Sequence, residues 1–101
     1  MKVLLDINNP VFQKSWFELD KTDRNRVTDS LKKLCQLSWE QLYKDQGFRW
    51  EKIVSVISPE GIDAIYSIRI SQARRATAYR DGDYIRFLTV EPDHDSTYGK
   101  K

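Results

Sequence analysis

The chain has 101 residues, of which 40% are hydrophobic, 12% aromatic and 32% charged, with a formal net charge of +2. That is one domain with one core; it is too rich in aromatics for a disordered segment, and its charge is too mild to announce nucleic-acid binding by itself. No apolar run approaches the ~20 residues of a membrane helix, and Asp6 interrupts the first apolar stretch too early for a signal-peptide core, so a cytoplasmic protein without a membrane partner is expected.

Lys2 to Ile7 reads as a strand stopped by Asn8-Asn9-Pro10. Asn9 is a good N-cap with Pro10 at the first helical position, and Phe12, Trp16 and Leu19 recur on one helix face. Asp20 to Asp23 breaks that helix and supplies the next cap. Val27, Leu31, Leu34, Cys35, Ser38 and Leu42 then form the apolar side of a second helix, while Arg24, Arg26, Lys32 and Lys33 stay wet. The two helices form a hairpin. Trp39 to Gly47 fits either a continued helix or a loop. With one cysteine and one histidine there is no intrachain disulfide and no ligand set for structural zinc; Cys35 reads as a buried thiol, and no metal or cofactor is expected.

Strands take over in the second half. Trp50 to Ile57, Ile65 to Ile70, Ala76 to Arg80 and Tyr84 to Val90 are rich in β-branched and aromatic residues, with turn chemistry at Ser58-Pro59-Glu60-Gly61, Ser71 to Arg75 and Asp81-Gly82. Alternation puts Tyr66, Ile68 and Ile70 on one face and Ser67 and Arg69 on the other, away from the helices. Five arginines (Arg69, Arg74, Arg75, Arg80, Arg86) and no lysine lie between Ile68 and Arg86, where the acids are confined to Asp81 and Asp83. Arginine's planar fork suits phosphate. The expected fold is a single α+β domain over 1–101. An N-terminal strand and a two-helix hairpin pack on a mainly antiparallel, twisted sheet of about five strands, and 93–101 forms a short polar tail.

This order of elements resembles the RelE/ParE superfamily of type II toxin-antitoxin toxins. The resemblance is carried by Leu4-Leu5-Asp6, Tyr66-Ser67-Ile68-Arg69-Ile70, Arg75-x-x-x-Tyr79 and His94-x-x-x-Tyr98. It implies an mRNA interferase that cuts mRNA on the ribosome by attack of the RNA 2′-hydroxyl, with a cognate antitoxin as protein partner. ParE-type members share the fold, lack the nuclease set and act on DNA gyrase; an inactive RNA-binding module of the same fold is a third reading. Ser67 stands where RelE itself has a lysine, which thins the basic cluster.

On the resemblance, His94, Arg69, Tyr98 and Glu91 are the catalytic candidates, and Arg75, Arg74 and Lys52 the RNA-binding ones. His94, flanked by Glu91, Asp93 and Asp95, would serve as general acid to the departing 5′ oxygen with Glu91 as base; Tyr98 would stack on a base or contact the proton in transit. Each has a plainer alternative: a solvated tail for His94 and Tyr98, a cross-strand ion pair with Glu91 for Arg69, ordinary basic turn surface for Arg74 and Arg75, and an aggregation-blocking edge charge for Lys52. Trp16, Trp39 and Trp50 read as core or partner-facing surface.

Overall fold

The computed structural model describes residues 2–55 and 57–92. Strand β1 (Leu4–Asp6) leads to helix α1 (Pro10–Phe17). The Asn9 side-chain oxygen accepts from the N–H groups of Val11 (2.8 Å) and Phe12 (3.4 Å), and Pro10 occupies the first turn, where its missing N–H costs nothing. Helix α2 (Lys21–Leu34) is capped by Asp20, which accepts from the Asp23 N–H at 2.8 Å, and it buries Val27, Leu31 and Leu34 at i, i+4 and i+7. The stretch from Trp39 to Gly47 resolves into a separate helix, α3 (Trp39–Lys44). Its capping box has Ser38 accepting from the Gln41 N–H while the Gln41 side chain accepts from the Ser38 N–H.

Strands β2 (Glu51–Lys52), β3 (Tyr66–Arg69), β4 (Arg74–Asp81) and β5 (Tyr84–Pro92) complete the fold. Among the described residues the sheet has five strands in the order β1-β5-β4-β3-β2, with β1 parallel to β5 and every other pair antiparallel. It is a mixed sheet within an α+β fold of three helices. The Asp81-Gly82 turn closes β4 onto β5 with Gly82 at φ +61°, a conformation that favours glycine.

Ile68, Ala76, Ala78, Ile85 and Phe87 form the helix side of the sheet and are essentially unexposed. Phe87 stacks on Phe12 of α1 with ring centroids 4.9 Å apart, which locks α1 over β5. Each fully buried side chain of this size contributes about 1.5–3 kcal/mol of transfer free energy.

Three expectations are corrected, the first being the turn expected from Ser71 to Arg75, whose Arg74 and Arg75 are instead the first two residues of β4, paired with β5. Of the strand expected from Trp50 to Ile57, the described residues keep two, Glu51 and Lys52. Ile53 still donates its N–H to the Ile65 carbonyl at 2.9 Å, but beyond it β3 offers no further partner. High β propensity without a neighbouring ladder leaves Val54 88% and Ile57 94% exposed. Cys35 is not buried: it is the C-cap of α2, one step past Leu34, and that step turns it off the apolar stripe into solvent.

Candidate functional site

The helices and core occupy one face of the sheet; the other carries the polar residues singled out in sequence. Pairing registers set Arg69 of β3 opposite Arg75 of β4, and Arg75 opposite Glu91 of β5. The adjacent row runs Glu51, Ser67, Thr77, Thr89 across four strands. Three candidates 22 residues apart in sequence thus share one cross-strand row, with neighbours at the ~5 Å spacing of a ladder.

A bulge makes this possible. Simple alternation from the inward residues Ile85 and Phe87 would carry Thr89 and Glu91 into the core. The register shift between Thr77 and Ala78, where Thr77 pairs with Thr89 but Ala78 with Phe87, inserts Leu88 as an extra residue and reverses the parity. Beyond it Val90 pairs with buried Ala76, and Thr89 and Glu91 turn outward. The Thr77 and Thr89 hydroxyls bond at 2.6 Å, and Thr89 donates to the Glu91 carboxylate at 2.8 Å. A cleft of about 330 Å³ opens here, lined by Ile53, Ser67, Arg75, Thr77, Glu91 and Pro92.

The arginines are less available than their number suggests. Arg75 Nη2 lies 3.3 Å from Glu51 Oε1, and Arg74 Nη2 lies 3.2 Å from Asp23 Oδ2 on α2. Arg86 bridges Asp6 and Asp81. Its guanidinium and the Asn8 N–H hold Asp6 below the usual carboxylate range, the backbone bond being the larger cause, and the two carboxylates raise Arg86 above its ordinary value. Arg80 lies over the Trp39 ring at 4.1 Å from its centroid and donates to the Tyr43 hydroxyl at 2.7 Å. Arg75 keeps one unspent donor: its Nε is buried with no hydrogen-bond partner among the described residues.

The arrangement therefore gathers Arg69, Arg75 and Glu91, flanked by Ser67 and the paired threonines. Arg74 is drawn instead toward α2 by Asp23. Lys52 sits on the edge strand opposite Tyr66, on the row parity of the inward face, and is exposed. His94 and Tyr98, with Asp93 and Asp95, lie outside the described residues. For the plainer alternative of an Arg69–Glu91 cross-strand pair, the register sets Arg75 between the two residues, so they are not on adjacent strands.

Two groupings were not legible from sequence. The Asp6–Arg86 pair joins residues 80 positions apart and needs the parallel β1–β5 contact. The ring series Tyr66, Trp50, Trp39 runs from a parallel stack at 4.6 Å to an edge contact at 5.4 Å and ends under Arg80, so Trp39 and Trp50 serve to join α3 to the sheet. A signal for the α3 end existed in the Ser38-x-x-Gln41 spacing. Comparison of the chain with family models, with curated proteins and with solved structures finds no match.

Proposed function

We propose that this α+β fold is of the RelE/ParE kind and that the chain is an mRNA interferase, the toxin of a type II toxin-antitoxin pair, acting on mRNA at the ribosome and held in check by a cognate antitoxin. The observation that carries this reading is the row Arg69–Arg75–Glu91 on the helix-free face, beside a cleft that β5 borders. Two cations and one carboxylate side by side are what phosphodiester transesterification needs from a protein. The carboxylate of Glu91 takes the 2′-hydroxyl proton, and the 2′ oxygen bonds to phosphorus. The phosphorus–O5′ bond breaks, leaving a 2′,3′-cyclic phosphate, and the departing 5′ oxygen receives its proton from His94. Arg69 and Arg75 offset the charge that develops on the non-bridging oxygens. In the sequence His94 is two residues past Pro92, the end of β5, with Asp93 between them.

The second reading, a gyrase-directed ParE-like toxin without nuclease activity, is favoured by the ion pairs that absorb Arg74, Arg75 and Arg86 and weaken the cationic field over the sheet. Controlled expression with sequencing of RNA 5′ ends separates the two. Cuts at defined codon positions, lost in Arg69→Lys and His94→Ala without loss of folded protein, are the outcome expected of the nuclease. Growth arrest with intact mRNA would discard it in favour of the gyrase reading, and harmless expression of soluble protein would discard both.

A further inference from the structure

Glu91 borders the cleft already hydrogen-bonded, and from its own strand. Thr89, two residues earlier on β5, donates its hydroxyl proton to Glu91 Oε2 at 2.8 Å, and the Thr77 and Thr89 hydroxyls lie 2.6 Å apart. A threonine hydroxyl has one proton to give. That of Thr89 is spent on the carboxylate, so the proton between the two hydroxyls belongs to Thr77, and the chain runs from Thr77 to Thr89 to Glu91 Oε2. Each bond strengthens the next, because a hydroxyl that accepts a hydrogen bond becomes a better donor.

The bulge builds this chain. Thr89-x-Glu91 puts two side chains on one face of any strand, but Thr77 stands opposite Thr89 only because Leu88 is inserted between the Ala78–Phe87 and Thr77–Thr89 pairs. Both threonines are half-buried and β-branched, which restricts χ1. Arg75, directly opposite Glu91 in register, turns its Nη2 instead to Glu51 Oε1 at 3.3 Å. The acid that faces an arginine across the ladder is thus bonded to a hydroxyl, which takes up one carboxylate oxygen and assigns the role of base to the other. We infer that Thr89 is a positioning residue for Glu91 in the reaction proposed above, on which this inference rests: it anchors Oε2 so that Oε1 accepts the 2′-hydroxyl proton, and Thr77 holds the Thr89 hydroxyl in its donating direction. The anchor does not break during the transfer. As Oε1 takes the proton, Oε2 becomes the carbonyl oxygen of the acid and still accepts from Thr89, so the group is held before and after the step. Without that hydroxyl an exposed glutamate near the end of β5 samples several rotamers, of which only a fraction suits the transfer.

The test uses the full chain with Thr89→Val, which keeps the branched shape and removes the hydroxyl, Thr89→Ser, which keeps the hydroxyl, and Thr77→Val. In the free protein, three-bond NMR couplings along the Glu91 side chain should report a single rotamer in wild type and Thr89→Ser and averaging in Thr89→Val. In single-turnover cleavage of ribosome-bound mRNA, Thr89→Val should lower the maximal rate about tenfold, the worth of one hydrogen bond to a charged group, and change the half-saturating concentration less than about twofold. Thr77→Val, which removes only the neutral bond behind it, should lower the rate about threefold, and Thr89→Ser less than about twofold. In a Glu91→Gln background Thr89→Val should add less than about twofold, because Thr89 acts through the carboxylate. Averaged couplings in wild type, a Thr89→Ser rate no better than that of Thr89→Val, or a Thr89→Val loss undiminished in the Glu91→Gln background would each overturn the assignment. A lower Tm in Thr89→Val with an unchanged rate would overturn it too, reducing the pair to a cross-strand contact. If wild type cuts no mRNA while the couplings average only in the valine variant, the nuclease reading falls and the orienting of Glu91 by Thr89 stands.

Discussion

Glu51 is placed to act as a brake on the basic row. Its carboxylate sits 3.3 Å from the Arg75 guanidinium and is itself more than half exposed, at 55%, while the Arg75 side chain is 18% exposed. At that separation and a water-like dielectric the attraction is about 1.3 kcal/mol. The cost of ordering two long side chains brings such pairs to about 0.2–1 kcal/mol net. Any phosphate that approaches Arg75 must first displace Glu51 or share the guanidinium with it. Glu51→Gln removes the competitor while keeping the shape, so RNA affinity is expected to rise, by at most the net worth of the pair, or up to about fivefold. The gain should shrink as salt screens both interactions. Folding stability should fall by no more than about 1 kcal/mol, which lowers Tm by up to about 8 °C in a domain of this size. Fluorescence anisotropy with a labelled single-stranded RNA at low and high salt, alongside thermal melts, reads both quantities. Unchanged or weaker RNA binding in a folded Glu51→Gln protein, with Arg75→Ala equally silent, would refute the role of Arg75 as a phosphate contact.

Asp6 links stability to pH. Its folded-state pKa is depressed, so the stabilisation is fully present above the unfolded value of about 3.9 and is lost as pH falls through the lower folded value. Melts between pH 6 and pH 2 should show wild type losing more stability below about pH 4 than Asp6→Asn, and parallel curves would contradict the link. Phe87→Ala removes a ring that is 1% exposed and stacked on Phe12, and urea unfolding should report a loss of about 3–5 kcal/mol. Cys35 should react with a thiol reagent in the native protein at a rate near that of a free thiol, with Tm nearly unchanged; protection until unfolding would return it to the core.

The readable parts of this chain are those governed by local chemistry. Asn9-Pro10 and Asp20 start α1 and α2 where side-chain oxygens cap free N–H groups. Asp81-Gly82 makes the hairpin because one residue must take positive φ, and alternation around Ile68 assigns Tyr66 and Ile68 inward and Ser67 outward. Those rules act over a few residues and are written in residue type. Long-range pairing decided the rest. Whether Ile53, Val54 and Ser55 continue the strand depended on the length of β3, not on their own propensity. Whether Thr89 and Glu91 face the core or the cleft depended on one extra residue at Leu88, because in a ladder of period two a single insertion exchanges the faces of everything beyond it. Which acids pair with Arg75, Arg74 and Arg86 depended on positions 24 to 80 residues away, Glu51, Asp23 and Asp6, that only the packed sheet and helices bring within reach.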